Sequence, residues 1–176
     1  MTPRIGKGVW LAAAVVLAGC GGDSLAGSLD ELLPLDYDRV EVRLDTQAFV
    51  VEYVKEKGPG LGTVFKLVVA TQGLDLTQPQ KIDLADRLDA GEPRVSISRA
   101  VADEPSSLFP PIGAGELTLD LGPPLVGKTL RGDFGLHFAQ DSTHKLVGAG
   151  RTVRGDFQTH IPAESPLQAK LNDIRI

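Results

Sequence analysis

A chain of 176 residues with 23 acidic and 18 basic side chains, a net charge of −5 and a single cysteine is tightly bounded. Its size suits one domain. Its acidic balance argues against nucleic acid and against a basic patch that grips anionic lipid headgroups. One cysteine cannot build a disulfide framework.

A targeting segment comes first. Arg4 and Lys7 precede an unbroken apolar run, residues 9–18, and no acidic residue occurs before Asp23. The run is about 10 residues, half of the ~20 that a spanning helix needs. It therefore reads as the apolar core of an export signal and not as a durable transmembrane helix. Leu17-Ala18-Gly19-Cys20 closes it. This tetrapeptide resembles the lipobox of bacterial lipoproteins. The resemblance implies cleavage between Gly19 and Cys20, a thioether-linked diacylglycerol on Cys20 and acylation of the new amino group. Several acyl chains hold firmly, each buried methylene contributing about 0.8 kcal/mol. The competing reading is a plain secretory signal, which leaves Cys20 an incidental thiol. Gly21, and not Asp, follows Cys20; in the enterobacterial lipoproteins it resembles, this implies the outer membrane instead of retention at the inner one.

The domain plan follows: 1–19 as a lipoprotein signal peptide, 20–28 as the lipidated Cys20 with a flexible tether, and 29–176 as an all-β domain. Losing Arg4 and Lys7 takes the 18 basic residues to 16 against 23 acidic ones, a net of −7. The 20 glycines and 12 prolines separate many short apolar runs, as in all-β domains.

Ser28 to Glu31 has the spacing of a helix capping box, and Pro34 limits the helix to about one turn. Residues 37–44 then alternate as a strand, with Val40, Val42 and Leu44 on one face. Residues 47–55 and 63–70 continue the pattern around Gly58-Pro59-Gly60-Leu61-Gly62, which predicts a hairpin. Between 73 and 90 the signal is mixed, and we read a short strand near 81–84 running into a turn. Residues 94–101 alternate cleanly, with Val95, Ile97 and Arg99 on one face. A polar, proline-broken loop is expected over 102–115, then a short strand over 116–121 that ends at Pro123-Pro124.

The chain next nearly repeats itself. Leu130-Arg131-Gly132-Asp133-Phe134 is echoed by Val153-Arg154-Gly155-Asp156-Phe157, and each copy opens an alternating strand. Two neighbouring antiparallel strands are predicted, with each glycine permitting a bulge or a close approach. Leu167, Leu171 and Ile174 are spaced for a brief final helix or an edge strand. The sum is eight or nine strands in one antiparallel β-sandwich, with a closed lipocalin-like barrel as the alternative. This order of elements resembles that of uncharacterised lipoproteins of Gram-negative bacteria.

Candidate chemistry is sparse. The two Arg-Gly-Asp tripeptides match an adhesion motif but open strands instead of capping a loop. His137, His144 and His160 lack the short spacings of metal ligands, so no metal is expected. Ser24, Ser106, Ser107 and Ser142 lie in tether or loop without a nucleophile elbow, and no cofactor loop is present. The leading expectation is a non-enzymatic envelope lipoprotein. It would be held to the membrane by Cys20 and would act through contacts with an envelope protein, not with nucleic acid. The alternative is a carrier of a lipophilic small molecule, its barrel lumen lined by Phe49, Val51, Phe65, Phe134 and Phe138. An open apolar cavity separates the two, because a sandwich core is packed solid.

Overall fold

The computed structural model describes residues 23–27, 34–44, 47–75, 78–102, 107–120, 129–140 and 151–160. Within them the chain is all β. Ten strands run in order: β1 (Ser24–Gly27), β2 (Arg39–Leu44), β3 (Ala48–Lys55), β4 (Gly62–Ala70), β5 (Gln80–Asp83), β6 (Val95–Val101), β7 (Ser107–Leu108), β8 (Ile112–Asp120), β9 (Thr129–Phe138) and β10 (Thr152–His160). They form two antiparallel sheets of five, ordered β1-β10-β9-β8-β5 (sheet A) and β2-β3-β4-β6-β7 (sheet B). The sheets pack face to face as a sandwich.

Period-two alternation decides what each sheet buries. Phe49, Val51 and Tyr53 of β3 point inward with Phe65, Leu67 and Val69 of β4 and Val95 and Ile97 of β6. Sheet A answers with Leu117, Leu119, Leu130, Phe134, Leu136, Phe138, Val153 and Phe157. An aromatic seam binds the two. Phe65 stacks on Phe134 at 5.7 Å and 4°, Phe49 meets Phe157 at 5.8 Å, and Phe109 stands edge-on to Phe138 at 5.8 Å. Such pairs contribute about 0.5–1.5 kcal/mol each beyond the area they bury. Tyr53 spans the layer and donates its hydroxyl to the Asp156 carbonyl at 2.9 Å.

Two separate sheets with distinct edges replace the closed barrel held as the alternative fold. Phe49, Val51, Phe65, Phe134 and Phe138, the expected lumen, are 0–3% exposed within a single packed core. The predicted hairpin forms between β3 and β4, with Lys55 opposite Gly62 and positive φ at Gly58 and Gly60. The mixed segment resolves as β5 followed by a turn. Arg99 lies on the buried face with Val95 and Ile97, as alternation indicated. It is 3% exposed and donates to the carbonyls of Pro34 and Val64, each at 3.2 Å.

Two expectations are corrected. Ser24–Gly27, assigned to the flexible tether, is an edge strand in register with Val153–Asp156. Its single large apolar residue, Leu25, packs against the core. The loop expected over 102–115 contains β7, and β8 starts at Ile112. Gly113 and Gly115 dilute the alternation there, and main-chain pairing with β9 carries the strand. The helix near Ser28, the Pro123-Pro124 stop, His144, Ser106, Ser142 and the tail from Leu167 lie outside the described residues, as do Gly19 and Cys20. No helix among the described residues is long and apolar enough to cross a membrane.

Candidate interaction face

The repeated pentapeptides explain the centre of sheet A. β9 and β10 pair so that Gly132 lies opposite Phe157, Phe134 opposite Gly155, and Asp133 opposite Asp156. The two copies are thus related by a local two-fold about the aspartate pair. Each phenylalanine ring lies across the other copy's glycine. A Cβ on Gly132 would fall on Cζ of Phe157; one on Gly155 would stand 2.5 Å from Cζ of Phe134 and 2.8 Å from the Tyr53 hydroxyl. Close approach, not a bulge, is what these glycines permit.

That inward lock fixes what points outward. One cross-strand row over the outer face of sheet A reads Lys81, Thr118, Asp133, Asp156, Ser24. Its neighbours along the strands add Asp83, Glu116, Asp120, Arg131 and Arg154. Five carboxylates therefore share this face with three cations, and Lys81–Glu116 at 3.1 Å is the only ion pair made by these eight among the described residues. Asp133 directly opposite Asp156 is a destabilising like-charge pair. A shallow hollow of about 230 Å³ opens over this row, walled by Asp120, Arg131, Asp133, Asp156 and Gln158.

At the β1 edge, polar groups converge. Ser24 donates to one oxygen of Asp156 at 3.0 Å, while the other oxygen is buried without a partner among the described residues. Asp23 accepts the Gln158 amide N–H at 2.5 Å. Burial raises the Asp23 carboxyl above its ordinary value, the Gln158 bond opposes this, and the charge of Asp156 adds to the rise. Tyr37 stands edge-on to Tyr53 at 5.0 Å. Its hydroxyl is pushed up to about 12 by burial and then by Asp23 and Asp156.

The sequence candidates are scattered by this geometry. His137 is exposed on the outer face of β9 and pairs with Thr152, whereas His160 pairs with Thr129. Eight residue steps, about 26 Å of strand, separate the two. Antiparallel pairing sends equivalent positions past the repeat to opposite ends. Both Arg-Gly-Asp copies lie within strands. Ser24, placed in the tether by sequence, bonds a carboxylate in β10. Asp23 and the edge role of β1 escaped the sequence reading; Asp23-Ser24-Leu25-Ala26-Gly27 has a single large apolar residue and no alternation to signal a strand. Comparison with protein-family models, with curated proteins and with solved structures finds no match to this chain.

Proposed function

We propose that the chain is a lipid-anchored protein of the bacterial cell envelope, sited in the outer membrane. It acts without chemistry of its own, through protein contacts of the anchored sandwich. The apolar run before Leu17-Ala18-Gly19-Cys20 supports the anchor. The observation that carries the contact reading is the outer face of sheet A, where Asp120, Asp133, Arg131 and Arg154 make no ion pair among the described residues. Unpaired charge fixed on a rigid sheet favours a complementary partner surface, which steers encounter and sets register.

Intact mass of the mature protein tests the anchor: a chain starting at Cys20 and carrying diacylglycerol plus an acyl group is expected, and Cys20→Ser should release the protein from membranes. A photo-crosslinker at position 133 should give a discrete adduct in cells, and one at Ser98 on sheet B should not. Equal labelling from both faces, or none, would remove the contact reading.

A further inference from the structure

The distance between Cys20 and the first paired residue bears on how the domain stands on its membrane, and this rests on the lipid anchor proposed above. Residues 23–27 are committed to sheet A. Asp23 accepts from Gln158, Ser24 bonds Asp156, and Leu25 packs on the core. Gly27 lies so close to β10 that a Cβ there would stand 2.5 Å from the Thr152 carbonyl oxygen. Three residue steps separate Cys20 from Asp23, at most about 11 Å of extended chain.

Strand register shows which end of the sandwich this tether reaches. Ser24 pairs with Asp156 at the midpoint of β10, and Asp23 reaches Gln158 in the half toward its C-terminal end. β3 starts there, Phe49 beside Phe157, and runs away from it toward Tyr53 beside Phe134. The end near Asp23 therefore carries Gln47, Gln72, Gln78, Gln80 and Gln158, set among Asp75, Arg94, Asp120 and Arg131. The β3–β4 turn, with Leu61 46% exposed, lies at the opposite end. The eight residues of β3 put about 25 Å between the two ends.

We propose that the anchor holds the sandwich end-on, its glutamine-rich end against the lipid headgroups and its Gly58–Gly62 turn facing away. Amides can exchange hydrogen bonds with headgroups at no cost in charge repulsion, which suits them to this place in an acidic protein. Sheet A's outer face then stands upright, open to a partner from the side.

The test uses the full-length lipidated protein in phosphatidylcholine vesicles. Cys20 is consumed by its thioether, so a single introduced cysteine takes a fluorophore at Gln72→Cys or Lys57→Cys. A quencher on the lipid headgroup should quench the position-72 probe at least threefold more than the position-57 probe. A flexible 12-residue Gly/Ser insert between Gly22 and Asp23, with a root-mean-square reach near 20 Å, should equalise the two. Equal quenching in the chain without the insert overturns the end-on orientation while leaving the anchor intact. Intact mass on the same sample separates the two failures: a chain lacking the lipid mass overturns the anchor, and this orientation with it.

Discussion

Both sheets set carboxylates directly opposite one another at the centre of their outer faces, and the central pairs Glu41–Glu52 and Asp133–Asp156 are treated differently. On sheet B, Glu41 pairs across strands with Glu52. Arg43 lies between them, 2.5 Å from Glu52 and 3.7 Å from Glu41, while Lys66 approaches Glu52 to 3.6 Å and Arg39 reaches Glu41 and Glu56. Burial pushes the Glu52 carboxyl up, yet the Thr63 hydroxyl, Lys66 and Arg43 together hold it below its ordinary value. On sheet A, Asp133 faces Asp156, and although Arg131 and Arg154 stand one same-face step away, as Arg43 does on sheet B, neither pairs with these aspartates among the described residues. On sheet B the opposed pair is compensated by its own neighbours. Sheet A leaves its aspartate pair without a cation among the described residues, which is the physical basis for proposing it as the contact face.

The inward glycine–phenylalanine lock maintains the aspartate pair, so the largest effect should come from breaking it. Gly155→Ala drives a methyl into the Phe134 ring and the Tyr53 hydroxyl, and overpacking of this kind costs about 1–3 kcal/mol. Urea unfolding should read a loss near the top of that range. Phe134→Leu in the same chain should recover part of it, a coupling that independent sites do not show. Additive losses would mean that the ring does not lie across the glycine.

Next in size is the contrast between faces. Glu52→Gln removes the charge that Arg43 and Lys66 surround and should cost about 1 kcal/mol, in line with a partly buried charge-assisted cluster. Asp133→Asn should instead stabilise by about 0.5 kcal/mol, since it relieves a like-charge pair. Raising salt from 0.05 to 0.5 M should shrink both differences, because the screening length shortens and the surface charges interact less. If both substitutions destabilise alike, the two faces are not electrostatically distinct.

How much of this was legible in the sequence depends on what carries each element. β3, β4, β6, β9 and β10 bury one face, so alternation exposes them, down to Arg99 on an apolar face where its guanidinium finds main-chain carbonyls. The neighbouring antiparallel pairing of the repeats was readable because both copies share one pattern. β1 and β7 were not: they are short edge strands whose existence depends on backbone bonds to a neighbour, and Ser-Leu-Ala-Gly has no pattern of its own. The opposed aspartates were hidden for a related reason. Only the register says that Asp133 meets Asp156 while Gly132 meets Phe157, and a slip of one residue would have exchanged the faces.

The smallest effect belongs to Asp23, and its sign distinguishes burial from hydrogen bonding. Its folded carboxyl is held above the ordinary 3.8, first by burial, so the folded chain binds that proton more tightly than the unfolded chain does. Ionised Asp23 therefore costs stability at neutral pH. That cost disappears as pH falls through the folded value toward the unfolded one. Asp23→Asn keeps an oxygen for the Gln158 N–H and removes the charge beside Asp156. The variant should be more stable than the parent at pH 7, by about 0.3 kcal/mol once solvent screening of a partly exposed group is allowed for, and the difference should vanish by about pH 3, below the unfolded value. Thermal unfolding of both chains at the two pH values reads the difference directly, and titrating groups that do not interact with Asp23 cancel between them. A variant weaker than the parent at pH 7 would mean that the charge strengthens the bond to Gln158 by more than burial and Asp156 weaken it. β1 would then be clasped to sheet A by the ionised carboxylate and would loosen in acid.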